Sequence, residues 1–153
     1  NGRTSPKSLA SQIQFVGSNF YRNFKMKQKL YYVELKSGFN DNGPAWIGKA
    51  FFSKSGQTIY FNGLILKGSG KGNCHEIESG DMYWTSGIKI NGQDRHWAGH
   101  GKITIDKNVI AEYLEIIGLT ELPKNKFIVA QLDNIPKLEK ATQLENQKLN
   151  TLR

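Results

Sequence analysis

Between residues 30 and 105 the apolar positions come in short runs of β-branched and aromatic residues broken by glycine, the pattern of strands rather than helices. It predicts strands over 30–36, 46–53, 58–66, 74–78, 82–90 and 95–105. The intervening turns, at 41–44, 54–56, 79–80 and 91–92, carry glycines at Gly43, Gly56, Gly80 and Gly92, and each link is short enough to join antiparallel neighbours. Within 46–66 both parities are apolar, Phe52 on one and Ile47 and Phe51 on the other. This hairpin is therefore expected to be covered on both sides, by barrel closure, by a helix or by a second copy of the chain.

After residue 105 the period changes. Val109, Ile110, Tyr113, Leu114 and Ile117 form one helical stripe, with Asp106 placed as N-cap and Gly118 just past the C-terminus. Pro123 and the run 126–132 indicate a further strand, and 133–153 reads as a polar, solvated tail, at most helical. Residues 1–25 mix Asn, Ser, Gly, Pro and bases; Met26 followed by a strand reads as a translation start, which makes 1–25 a basic extension, disordered or loosely docked. The expected fold is α+β and mainly β, an antiparallel sheet or small barrel of about six strands with one packed helix at 107–117. The domain is expected to span 26–132, between the extension and the tail.

Composition narrows the classes. No apolar run approaches the ~20 residues that span a bilayer, so no membrane helix or secretory leader is expected. The single Cys74 cannot form an intramolecular disulfide, and the expected setting is cytoplasmic. The net charge of +8 is uneven: residues 1–30 hold six bases and no acid, while 31–153 hold 15 bases against 13 acids. Of 21 basic residues 17 are Lys, which lack the planar fork that reads base edges, and this argues against sequence-specific DNA recognition.

The stretch 82–105 carries the most chemistry. A two-residue turn at Asn91 and Gly92 would pair 82–90 with 95–105. Met82, Trp84, Ile88, Ile90, Trp97, Ile103 and Ile105 would then face inward, with Trp84 lying over Gly99 and Arg95 at the rim. Tyr83, Thr85, Lys89, Asp94, His96, His100, Lys102 and Thr104 would face outward. The resulting binding set is Tyr83, Lys89, Arg95, His96, His100 and Lys102, in which rings stack on bases and cations neutralise phosphate. A plain solvated face, with Lys89 paired to Asp94, is the competing account.

Other motifs break. Residues 67–72, Lys-Gly-Ser-Gly-Lys-Gly, resemble the end of a phosphate-binding loop, but Ile65 stands where its first Gly belongs and Gly72 where Ser or Thr is required. Its backbone amides can still hold an anion weakly. Zinc on Cys74, His75 and another His lacks a fourth ligand, and no metal or cofactor is expected. Cys74 reads as a buried thiol, and Glu76 and Glu78 as a solvated acidic edge.

The expected function is a non-enzymatic binding domain for RNA or another polyanion. The first alternative is a small ribonuclease-like hydrolase of the toxin type, with His96 or His100 as acid or base and Lys102 or Arg95 on phosphate. The second is a protein-interaction subunit or homodimer that uses the apolar hairpin 46–66.

Overall fold

The computed structural model describes residues 26–152, so the extension 1–25 lies outside the described residues. Six strands form an antiparallel meander, each paired with the next: β1 (Lys27–Leu35), β2 (Ala45–Phe52), β3 (Thr58–Phe61), β4 (Leu64–Gly68), β5 (Gly72–Glu76) and β6 (Met82–Gly87). β6 returns to pair with β1, from Tyr31 opposite Gly87 to Leu35 opposite Tyr83, and this closes the barrel. The small barrel of six antiparallel strands expected from the sequence is therefore the fold.

The expected strand 58–66 is two strands. Asn62 and Gly63, at φ 46° and 78°, make a two-residue turn with both central residues left-handed, which matches the twist of a hairpin.

Alternate side chains fill the interior, among them Tyr31, Val33, Ala50, Phe52, Ile59, Phe61, Leu66, Cys74 and Tyr83. β2 pairs with β3 only at Phe51 and Phe52, and over Ala45, Trp46 and Ile47 it pairs instead with β7 (Ile103–Asp106), in parallel. Leu132 joins the interior where β2 parts from β3; a Cβ at Gly48 would stand 2.8 Å from its Cδ1, so glycine leaves room for it. β8 (Phe127–Ala130) extends the sheet beyond β7, again in parallel.

Two helices cover the outer wall. Asp106 accepts a hydrogen bond from the Asn108 N–H and starts a 3-10 turn, Lys107–Val109, that leads into α1 (Ile110–Ile117). Gly118, at φ 72°, ends α1 by donating to the Leu114 carbonyl. Val109 and Tyr113 pack on Tyr32, Ile47 and Ile105, and Lys49 pairs with Glu112 at 2.7 Å.

The polar tail is a docked helix rather than a solvated one. α2 (Leu138–Thr151) lays Leu138 and Ala141 on Phe51, Tyr60 and Ile65, and Lys67–Glu145 and Lys140–Glu78 ion pairs flank it. Both faces of 46–66 are thus covered within the chain, by the barrel interior and by helices.

The hairpin expected over 82–105 does not form. β6 already has β5 and β1 on its two sides, which leaves it no free edge. Residues 88–102 make an excursion instead; Asn91 and Gly92 serve a local turn in it, with the Gly92 N–H donating to the Lys89 carbonyl at 3.0 Å. The parity of β6 is also the reverse of the expected one, with Tyr83 and Thr85 buried and Met82 and Trp84 exposed. A six-stranded barrel is narrow. Thr85 fits opposite Val33 and Gly72, and its hydroxyl donates to the Gly72 carbonyl at 3.3 Å, whereas an indole would need far more room.

Candidate functional site

Two of the six residues expected to share a binding face, Tyr83 and Arg95, are buried away from solvent. Tyr83 points into the barrel, where its ring is buried. Lys89, His96, His100 and Lys102 are exposed on the excursion. Arg95 is no rim residue: its side chain is 8% exposed and folds back onto the barrel wall. Gly99 contacts not Trp84 but the Asp41 carbonyl and the Arg95 stem, where a Cβ would stand 2.3 and 3.1 Å away.

Arg95 belongs to a buried polar network on the outer face of β1. Its Nη1 lies 3.6 Å from Glu34 Oε2 and donates to the Asp41 carbonyl at 3.0 Å, while Nη2 donates to the Lys102 carbonyl at 3.4 Å. Glu34, 1% exposed, also accepts from the Tyr32 hydroxyl and from Lys36 Nζ at 2.8 Å. Burial, then the bond to Glu34, push the Tyr32 phenol well above its ordinary value. Burial works against the Lys36 ammonium, but Asp41 and Glu34 outweigh it and raise its pKa. This network fastens the excursion to the barrel and occupies Nη1 and Nη2 of Arg95, while its Nε is buried without a hydrogen-bond partner among the described residues.

The two histidines have separate contacts. His96 Nδ1 is 3.6 Å from Asp41 Oδ2 and its ring lies 5.4 Å from that of Trp97. His100 is held by its backbone N–H, which donates to Asn42 Oδ1 at 2.7 Å.

Other candidates resolve as structure. Cys74 is buried and the adjacent His75 exposed, on opposite faces of the wall. Burial pushes the Cys74 thiol up to about 11. Glu76 is buried rather than solvated, because its Oε2 accepts from the N–H groups of Glu78 and Ser79 at 2.6 and 2.7 Å and so caps the β5–β6 turn.

A concavity lies elsewhere, at the end of the barrel where β1 begins. It has a volume of about 1040 Å³ and is walled by the start of β1, the β2–β3 turn and the β4–β5 turn, with Leu138 of α2 at one side. The two turns touch: Gly70, at φ 89°, comes so close to the Gly56 carbonyl that a Cβ would be 2.6 Å from it. Tyr31 fastens the second turn by donating to the Gly70 carbonyl at 2.9 Å. Met26, Tyr31, Phe52 and Tyr60 supply an apolar floor.

Lys27, Lys29, Lys54 and Lys71 line this cleft, and no carboxylate does among the described residues. All four are exposed. Lys36, Lys49, Lys67, Lys137 and Lys140 each pair with an acid, but these four pair with none among the described residues. Sequence reasoning picked out 67–72 for its amides but missed the site, because it read 58–66 as one strand; the turn at Asn62 and Gly63 folds β4 back on β3 and brings the turns that carry Lys54 and Lys71 to one end of the barrel. No protein-family model, no curated protein and no solved structure matches the chain.

Proposed function

We propose that this domain is a non-enzymatic binding module for RNA or another phosphate-bearing polyanion, and that the lysine-lined cleft at the end of the barrel is its site. The observation that carries the reading is that four exposed lysines, none paired with an acid among the described residues, line one concave surface. Like charges gathered this way repel one another, and an anionic ligand relieves that repulsion. The hydrolase alternative loses ground because the Arg95 guanidinium is taken up by Glu34 and two backbone carbonyls.

The test is fluorescence anisotropy of a labelled single-stranded RNA with the full chain at about 50 and about 200 mM salt. With four phosphates neutralised, the affinity should fall roughly 50-fold over that range. Lys54→Gln combined with Lys71→Gln should bind more weakly and reduce the fall to roughly sevenfold. Lys124→Gln with Lys126→Gln, an equal loss of charge just before β8, serves as the control and should bind nearly as the parent does. The extension 1–25 is present in all three proteins, so a loss specific to the first variant belongs to the cleft. Equal weakening by both variants would reduce the effect to net charge and sink the proposal.

A further inference from the structure

Among the described strands, β8 alone has a neighbour on one side only, β7. The Ile103 N–H donates to the Lys126 carbonyl at 3.0 Å, and this fixes the alternation along β8. The backbone groups of Ile128 turn towards β7, and those of Phe127 and Val129 turn away from it. These four outward groups, two N–H and two C=O, have no partner among the described residues. Open backbone donors and acceptors in such a row are matched by another extended strand. Strand edges are commonly guarded by a charge, a proline or a bulge, and Phe127–Ala130 carries none of these. Instead Ile128 and Val129, on opposite faces, are 50% and 53% exposed.

The strand that fits this edge is β8 itself. Antiparallel pairing about a twofold axis at Ile128 sets Phe127 opposite Val129 of a second copy, and Val129 opposite its Phe127. The two pairs exchange four hydrogen bonds, so each outward group of β8 is used and none is left over. Parity agrees, because a twofold axis normal to the sheet keeps every side chain on its own face. Ile128 then meets Ile128 of the second copy on one face, while Phe127 meets Val129 on the other. Charge agrees as well. Lys124 and Lys126 precede β8, and antiparallel pairing puts Lys126 beside Ala130 of the second copy, with the two basic ends apart. After Ala130 the chain leaves the edge, since Leu132 enters the interior and the Asp133 N–H donates to Asn62 Oδ1 at 2.9 Å.

We infer that β8 is a docking edge for a second copy of this chain, and that two barrels join through antiparallel β8 strands into one continuous sheet. The hairpin 46–66 is covered within the chain and does not compete for this role. One short strand pair buries less than the roughly 1,200 Å² of standard complexes, so the dimer is weak and reversible.

The test is sedimentation of the full chain, without RNA, from about 5 to about 500 μM, a range that spans weak association. The mass should rise with concentration from 17.3 kDa towards twice that value. Ile128→Lys and Ile128→Glu each set like charges against one another across the axis, and each alone should weaken association at least about tenfold. The side chain they replace is half exposed, so both variants keep the fold. An equimolar mixture of the two should associate again, because opposite charges then meet at the same place. Only pairing of position 128 with itself gives that recovery. A parent that stays at 17.3 kDa throughout, variants that associate alone as the parent does, or a mixture that does not recover would each overturn the inference.

Discussion

Arg95 and Glu34 meet on the outer face of the barrel, Nη1 to Oε2 at 3.6 Å, with side chains 8% and 1% exposed. The guanidinium also holds the carbonyls of Asp41 and Lys102, so one side chain joins β1, the loop after it and the end of the excursion 88–102. Removing one partner of a buried pair leaves the other charge without compensation, at a cost of roughly 3–5 kcal/mol. Arg95→Ala should fall at the lower end of that range in urea unfolding, because Lys36 remains 2.8 Å from the same carboxylate oxygen. The RNA binding proposed for the opposite end of the barrel should hold under conditions where the variant stays folded. A loss of binding without a loss of stability would move the site to the excursion.

Gly48 and Leu132 fit one another by volume. A Cβ at Gly48 would lie 2.8 Å from Leu132 Cδ1, so Gly48→Ala overpacks the interior and should cost about 1–3 kcal/mol. Leu132→Ala deletes a buried side chain and should cost about 2–5 kcal/mol. In the double variant the new methyl group occupies part of the space that Leu132 gives up. Denaturant unfolding of all four proteins should therefore show the double variant losing less than the two single losses added together. Additive losses would mean that Leu132 packs elsewhere.

How much was legible follows from how local each signal is. Asp106 and Gly118 bracket a helix by chemistry within a few residues, and that helix is found where the pattern placed it. Asn-Gly is equally local, yet the same pair has different outcomes: at Asn62 and Gly63 it turns a hairpin, and at Asn91 and Gly92 only a loop. The difference is that β6 had already been paired on both sides by closure against β1, a contact between strands some 50 residues apart. The same closure reversed β6, because barrel width selected Thr85 over Trp84 for the inside. The cleft is the least local feature. Its lysines come from three separated stretches, each unremarkable alone, and the apolar side of α2 was hidden by its Gln and Lys residues.

Asp94 should make the fold more stable in mild acid than its removal would allow. Burial raises its carboxyl above the usual 3.8, although the Lys89 backbone N–H, 2.8 Å from Oδ1, and the Lys89 charge pull the other way. Oδ2 is buried without a hydrogen-bond partner among the described residues. Between the ordinary and the raised value the native state binds more protons than the unfolded one, so this group's contribution to stability falls as pH rises through that window. Asp94→Asn keeps an acceptor for Lys89 and removes the charge. The stability of the variant relative to the parent should increase from acid towards neutral pH and then level off. A difference that stays flat with pH would show that the carboxylate is solvated.

Cys74 reports on the opening of the barrel. Its side chain is buried, its Sγ lies 3.7 Å from the Tyr83 carbonyl, and burial lifts the thiol to about 11 from an ordinary 9.0, against a smaller downward pull from Thr85. The thiolate is the reactive form, so near pH 8 ionisation alone should slow a thiol reagent by about a hundredfold relative to the unfolded chain. Exclusion of the reagent from the packed interior slows it further, and modification then proceeds only through transient opening. If so, the rate tracks the opening equilibrium, and Leu132→Ala, which loosens the same interior cluster, should raise it about tenfold for each ~1.4 kcal/mol of stability lost. A native rate equal to that of the unfolded chain would place the thiol on the surface. A slow rate indifferent to Leu132→Ala would mean that the barrel opens locally at β5, next to the turn that carries Lys71, and the same labelling would then show whether RNA in the cleft holds that turn shut.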